Sequence, residues 1–175
     1  LSAEAISVSQ SPRAKLDFPA FIEREAPGIL AYFGRRVASA DDAADLLGDT
    51  LVVAWRKVAT VPRDETEARM WLYGVARRVL TTHRRTLARR GALEERMRLE
   101  ATVQSAPPVL DHVRALIGDL DPVDREIISL HYWEGFSLVE VAAVLRMRPA
   151  TVRSRHARAR KSLRDALLDT GEIRE

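Results

Sequence analysis

The chain has 175 residues, 46% of them hydrophobic and 30% charged, which is enough apolar material for one domain or two small ones. It contains no cysteine, so disulfides and thiolate metal sites are excluded, and it shows neither a membrane-spanning apolar run nor a signal-peptide pattern at its start. A cytoplasmic protein without membrane insertion is expected, and although the net charge is only +3, the pI of 9.7 reflects arginine gathered in two places, which favours an acidic partner.

Residues 1–15 carry Ser, Gln and Pro with few large apolar groups and read as an N-terminal tail. From Phe18 onward, Phe18, Phe21, Ile22, Ile29, Leu30, Tyr32 and Phe33 repeat at helical spacing around Pro27 and Gly28. That pattern predicts one bent helix, or two short ones, ending near Val37. A second helix is expected over 41–58, with Leu47, Leu51, Ala54, Trp55 and Val58 as its buried stripe. Asp42, Asp45 and Asp49 fall together on another face of it. The dipole at a helix start accounts for Asp41 and Asp42, but Asp49 lies too far along for that effect. With Leu46 read as exposed beside them, the acids suggest a docking face for a basic, partly apolar protein surface.

A polar loop over 59–68 is expected to lead into a long helix over 68–90, with Met70, Trp71, Val75, Val79 and Leu80 inward. Its other faces carry Arg69, Arg77, Arg78, His83, Arg84, Arg85, Arg89 and Arg90 with no acid among them, and Trp71 and Tyr73 stand near its beginning. Aromatic rings beside cations can stack on unpaired bases, although Trp71 at this spacing equally fits the core. Residues 91–108 turn mixed and acidic and end in Ser-Ala-Pro-Pro, which reads as a linker. A short helix over 110–117 follows.

The most informative stretch begins at Asp121, an N-cap followed by Pro122 at the first helical position. That helix should run to about Trp133 and stop at Gly135. Ser137 and Glu140 then form a capping box, with Phe136 and Val141 placed as its hydrophobic staple. The short helix so started buries Val141, Ala142 and Leu145. A turn through Arg146, Met147 and Arg148 delivers the chain to Pro149, which opens a third helix with the stripe Val152, His156, Ala159, Leu163 and Leu167. Short helix, tight turn and basic helix make a helix-turn-helix. Arg153, Arg155, Arg158, Arg160, Lys161 and Arg164 lie off the stripe, which makes DNA the natural partner. Residues 170–175 form a short C-terminal tail.

Taken in order, three motifs resemble parts of bacterial RNA polymerase sigma factors. Asp42–Arg56, DAADLLGDTLVVAWR, resembles the helix that grips the clamp of the polymerase. ARMWLYGVARRVLTTHRR, from Ala68, resembles the helix that melts the promoter and reads the −10 element, and the sequence from Leu120 to Leu163 resembles the domain that reads the −35 element. With only these parts and a linker, the chain resembles the extracytoplasmic-function (ECF, group IV) members of the sigma-70 family over about 18–168. The implied architecture is all-α: two small helical domains joined by a flexible linker, a region 2-like domain over 16–90 and a region 4-like helix-turn-helix domain over 109–169.

The resemblance also implies roles. Asp42, Asp45, Leu46 and Asp49 would dock on the clamp of the beta-prime subunit. The loop Val61, Pro62, Arg63, Asp64, Glu65, Thr66 and Glu67, with Trp71, Arg77 and Arg78, would capture the single-stranded −10 element. Arg146, Arg148, Thr151, Arg153, Ser154, Arg155 and Arg158 would meet double-stranded −35 DNA, Thr151 and Arg155 at backbone phosphate. Arginine suits the groove because it grips guanine O6 and N7 with two parallel hydrogen bonds. The family further implies the flap of the beta subunit and an anti-sigma factor as partners, a linker threaded through the RNA exit path, and no catalytic residue, cofactor or metal. Three departures stand out: Arg146 where many relatives have Gly in the turn, Arg78 where Asn is common, and His156 where an aliphatic residue is usual.

Two other readings use the same residues. An ordinary helix-turn-helix repressor or activator would bind double-stranded operators, as a dimer, without polymerase. A nucleic-acid enzyme would use Asp42, Asp45 and Asp49 to hold a metal, but no companion base stands near them.

Overall fold

The computed structural model describes residues 16–94 and 108–169, and the tail and linker residues at 1–15, 95–107 and 170–175 lie outside it. The described residues form seven α-helices: α1 Phe18–Gly34, α2 Ala40–Arg56, α3 Glu65–Glu94, α4 Pro108–Asp119, α5 Pro122–Tyr132, α6 Leu138–Leu145 and α7 Pro149–Asp169. One 3-10 turn, Val58–Thr60, sits between α2 and α3.

Helix α1 starts where the Asp17 carboxylate accepts the Ala20 N–H, and it continues unbroken through Pro27. It ends at Gly34, earlier than the apolar pattern suggests. Phe18, Phe21, Ile29, Tyr32 and Phe33 are buried along it. Helix α2 is started by Ser39, whose hydroxyl accepts the Asp42 N–H at 2.9 Å. Its inward stripe differs from the expected one: Ala43, Leu46, Thr50 and Ala54 are buried, whereas Trp55 and Val58 are exposed. The Trp55 indole lies against Phe18, ring centres 5.4 Å apart, so it covers an edge of the core without entering it. Thr50, wholly buried, satisfies its hydroxyl on the Leu46 carbonyl at 2.7 Å.

Helix α3 begins three residues before the expected start, because Asp64 caps it by accepting the Glu67 N–H at 3.0 Å. Its buried face is Ala68, Leu72, Tyr73, Val75, Ala76 and Leu80, with Met70, Trp71 and Val79 packed partly against that face. Tyr73 is therefore core, and no base could stack on it. The helix also runs on to Glu94, past the expected linker boundary at residue 91.

The C-terminal half follows its sequence signals closely. Asp121 accepts the Val123 N–H at 2.9 Å, Gly135 adopts φ 72° to reverse the chain after α5, and both bonds of the Ser137–Glu140 capping box are present. Arg125 reaches back to the Ile117 and Leu120 carbonyls, both at 3.1 Å, and also bonds the Gly118 carbonyl, which satisfies the end of α4. Helices α5, α6 and α7 enclose Ile127, Leu130, Val141, Ala142, Leu145 and Val152. These residues belong to the same buried cluster as the aromatic core of α1 and α3, so one apolar interior runs through both halves.

Candidate nucleic-acid interface

Helix α7 presents its charge through the spacing of its buried residues. Val152, His156 and Ala159 face inward, which leaves Thr151, Arg153, Ser154 and Arg158 exposed on the opposite side, with Arg146 and Arg148 exposed in the turn before them. Arg146 stands in the left-handed region, φ 55° and ψ 45°, where a Cβ ordinarily costs about 1–2 kcal/mol. Its N–H donates to the Ala142 and Ala143 carbonyls, closing the end of α6. The turn thus holds a long cation at a position suited to Gly. The Ser154 hydroxyl donates to the Thr151 carbonyl at 3.0 Å, so it spends its proton on its own helix.

Arg155 differs from its neighbours. One terminal nitrogen donates to Asp124 at 2.7 Å and to Asp121 at 3.0 Å. The hydrogen bond and charge of Asp124, together with Asp121, raise its pKa, while the Val123 N–H and Arg155 hold the Asp121 carboxyl below its usual value. In this structure Arg155 ties α7 to the start of α5. The sequence pattern could not reveal this, because the partners lie more than thirty positions earlier.

His156 is 7% exposed and packs edge-on to His131, ring centres 5.0 Å apart, and face-on to Tyr132. Burial, His131 and Arg160 lower its pKa, so the ring is held neutral. Its Nε2 has no hydrogen-bond partner among the described residues. His131 itself donates from Nδ1 to the Phe136 carbonyl at 2.7 Å.

In the N-terminal half, Asp45 and Asp49 are exposed on one face of α2 and Asp42 is half-buried at its start. Leu46 does not join them: at 2% exposure it is part of the core, because the helix places it under α1 and α3 together with Ala43 and Thr50. The apolar group beside Asp49 is instead Val52, 49% exposed and one turn further on. Its signal in the sequence is the i, i+3 spacing from Asp49, which the choice of Leu46 obscured. Val52 and Asp49 open onto a groove of about 570 Å³ between α2 and α3, where Arg56, Lys57, Arg78 and His83 also stand.

The expected −10 loop is shorter than the sequence suggests. Val61, Pro62, Arg63 and Asp64 connect the 3-10 turn to α3, while Glu65, Thr66 and Glu67 form the exposed first turn of the helix. Glu65 pairs with Arg24 at 2.5 Å. Trp71 and Arg77 are half-buried and Arg78 is exposed. Arg69 is withdrawn from the basic face: it bonds Glu25 at 3.2 Å and the Glu134 carbonyl at 2.5 Å and lies over the Phe136 ring. Among the described residues no group of three or more His, Asp or Glu side chains could hold a metal, so Asp42, Asp45 and Asp49 do not gather into one.

An acidic helix face, a basic long helix and an exposed recognition helix thus occur in chain order on one all-α body. Residues 21–90 match the family Sigma-70 region 2, and residues 110–163 match the family Sigma-70, region 4. The RNA polymerase sigma-E factor of Streptomyces coelicolor is 31% identical over 163 residues, covering 87% of each chain. This chain belongs to the ECF sigma factors of the sigma-70 family.

The ECF RNA polymerase sigma factor SigL of Mycobacterium tuberculosis is 29% identical to this sigma factor over 161 residues, covering 89% of this chain and 91% of that one. The probable RNA polymerase sigma-C factor of Mycobacterium bovis is 34% identical over 143 residues, covering 78% and 72%. Among solved structures, the sigma factor RpoE in complex with the anti-sigma factor NepR from Bartonella quintana superposes with a TM-score of 0.72 at 25% identity, covering 86% of this chain and 96% of that one. CnrH in complex with the cytosolic domain of CnrY gives 0.64 at 27% identity, covering 87% and 88%. This sigma factor therefore directs promoter-specific initiation by RNA polymerase, with the core enzyme and promoter DNA as its partners. None of its described helices is long and apolar enough to cross a membrane.

Proposed function

We propose that promoter reading by this sigma factor divides among three surfaces, and that the exposed α7 face carries the assignment. Arg153 and Arg158 read base edges of the −35 element in the major groove, with Thr151 and Ser154 between them. Arg146 and Arg148 in the turn hold backbone phosphate, and Arg155 fixes the angle of the helix through Asp121 and Asp124. Support comes from the burial pattern, which leaves these four side chains exposed on one helix.

At the front, Asp45, Asp49 and Val52 dock on the beta-prime clamp, an acidic and apolar face meeting a basic and apolar one. The 61–64 loop, the first turn of α3 and Arg77, Arg78 and Trp71 receive the unpaired −10 strand. Separating the duplex costs about 1.4 kcal/mol per base-pair step, part of which captured bases return. At the back, Ile117, Ile128, Tyr132, Trp133, Leu163 and Leu167 line an apolar groove of about 330 Å³ between Arg160 and Arg164. This groove suits an apolar, acid-flanked helix, and the flap of the beta subunit is assigned to it.

The chain itself makes and breaks no covalent bond, and it works in the cytoplasm, where the polymerase is. The solved sigma factor RpoE named above is in complex with an anti-sigma factor, which supports an anti-sigma partner for this chain too. Purified chain mixed with core polymerase and genomic promoter fragments is expected to give promoter-specific run-off RNA. Operator binding as a dimer, with no complex with core, would instead establish the repressor reading.

A further inference from the structure

A cleft of about 530 Å³ between the end of α1 and the corner of α4 and α5 holds more positive charge than its acids balance. Arg35, Arg36 and, from α3, Arg84 stand on one side of it, and Arg125, Glu126, Ser129 and Trp133 on the other. Arg35 is spent on Glu134 at 2.7 Å. Arg36 donates from Nε to Glu126 at 3.1 Å, and from Nη1 to the Tyr32 carbonyl at 2.9 Å and to Glu134 at 3.4 Å. Its Nη2 has no partner, although the side chain is only 6% exposed, and a buried guanidinium nitrogen ordinarily has an acceptor. Arg84 reaches only the Arg36 carbonyl, at 3.4 Å, and Arg125 donates to the main-chain carbonyls of Ile117, Gly118 and Leu120. Among the described residues neither has a carboxylate partner. Four guanidinium groups thus meet two carboxylates, Glu126 and Glu134, and two positive charges are left over.

That surplus, with an unbonded N–H beside it, calls for an anion of at least two charges, and the planar forks of arginine suit phosphate oxygens. The remaining wall is not that of a site for a bare anion. Trp133, 45% exposed, offers an indole surface on which a flat ring can lie. Glu126 accepts from Tyr32 and Arg36 and keeps further lone pairs, which repel an anion but take the N–H groups of a heterocycle, and the Ser129 hydroxyl can do the same. A ligand with a charged end and a flat, nitrogen-bearing end satisfies both parts. The volume lies within the range of about 300–1,000 Å³ usual for small-molecule sites.

We propose that this cleft is a binding site for a nucleoside polyphosphate, with Arg36, Arg84 and Arg125 taking the phosphates and Trp133, Ser129 and Glu126 the base. The site is separate from the exposed α7 face and from Asp45, Asp49 and Val52, none of which lines it. Trp133 is shared with the apolar groove beside α7, so Arg84 and not Trp133 is the position to vary.

Isothermal titration of the full chain with ATP, GTP and inorganic pyrophosphate tests the assignment. At least one nucleotide is expected to bind one to one, about tenfold or more tighter than pyrophosphate. Arg84→Ala, at an exposed position of α3, should weaken that nucleotide by about tenfold and leave the melting temperature of the free chain unchanged. Should Arg84→Ala melt lower than the parent, Arg84→Gln, which keeps most of the side-chain stem, decides by the same loss. No binding of either nucleotide, pyrophosphate bound as tightly as both, or affinity untouched by the Arg84 variants would each overturn the proposal. Displacement of the nucleotide by a promoterless DNA duplex would overturn it too, by assigning these arginines to the DNA backbone.

Discussion

Gly28 on α1 faces the Tyr73 hydroxyl on α3 so closely that a Cβ on Gly28 would lie 2.9 Å from that oxygen. The ring end cannot retreat easily, because Tyr73 is 1% exposed and lies edge-on to both Tyr32 and Phe136. Gly28→Ala gains about 1 kcal/mol of helix propensity but meets an overpacking cost of about 1–3 kcal/mol, so net destabilisation is expected. The same substitution in a Tyr73→Phe background should be neutral or stabilising. Denaturant unfolding of the four proteins in this cycle measures the coupling directly, and additive effects would show that the two positions do not compete for space.

The clamp-facing side of α2 separates residues that its sequence puts together. Asp49→Arg is expected to weaken binding to core polymerase by about tenfold or more, or about 1.4 kcal/mol, with the unfolding midpoint unchanged. Val52→Asp should do the same. Leu46→Ala should instead cost about 2–5 kcal/mol of folding stability by opening a cavity in the core. Fluorescence-detected core binding beside thermal melts distinguishes the two classes, and a Leu46→Ala variant that melts normally but binds core poorly would return Leu46 to the docking face.

These contrasts mark what was legible beforehand. Capping at Asp121 and Ser137, the stop at Gly135 and the stripe on α7 were all readable, because each is set by residues within a few positions of one another. On α2, apolar residues at 46, 47, 51, 52, 53 and 55 satisfy more than one helical stripe, and only the neighbours α1 and α3 select Leu46 and Ala54. Tyr73 misled for a related reason: an aromatic beside arginines reads alike whether the ring stacks on a base or on Phe136. The pairs of Arg35 and Arg36 with Glu126 and Glu134 span at least ninety positions and leave no local trace.

On α7, Arg158→Ala is expected to reduce discrimination between −35 sequences by about 1–3 kcal/mol, with the greatest loss at one base pair. Arg155→Ala should lower the melting temperature and leave the rank order of −35 sequences intact, since its partners are Asp121 and Asp124. Competition binding across a set of single-base −35 variants reads both. Uniform loss over all sequences for Arg158→Ala would make it a phosphate contact.

Arg146→Gly relieves the left-handed backbone and should stabilise the chain by about 1 kcal/mol. If the turn holds phosphate as proposed, the same variant binds promoter DNA less tightly, and the slope of log affinity against log salt falls by about one contact. Stabilisation with an unchanged salt slope would place the side chain away from the backbone of the DNA.

His156 gives the helix-turn-helix a pH dependence whose sign follows from its surroundings. Burial, His131 and Arg160 all disfavour the imidazolium, so the folded pKa lies below the unfolded value of about 6.5. Between those values the unfolded chain binds more protons than the folded one. Stability is therefore complete above pH 6.5 and declines as the pH falls through that value toward the folded pKa. His156→Leu, which keeps the stripe apolar beside Val152 and Ala159, should flatten the melting temperature between pH 7.5 and 5.5. The unmodified chain should fall further over the same interval. Parallel losses in the two proteins would assign the acid sensitivity elsewhere, although the His156 ring packs only 5.0 Å from that of His131.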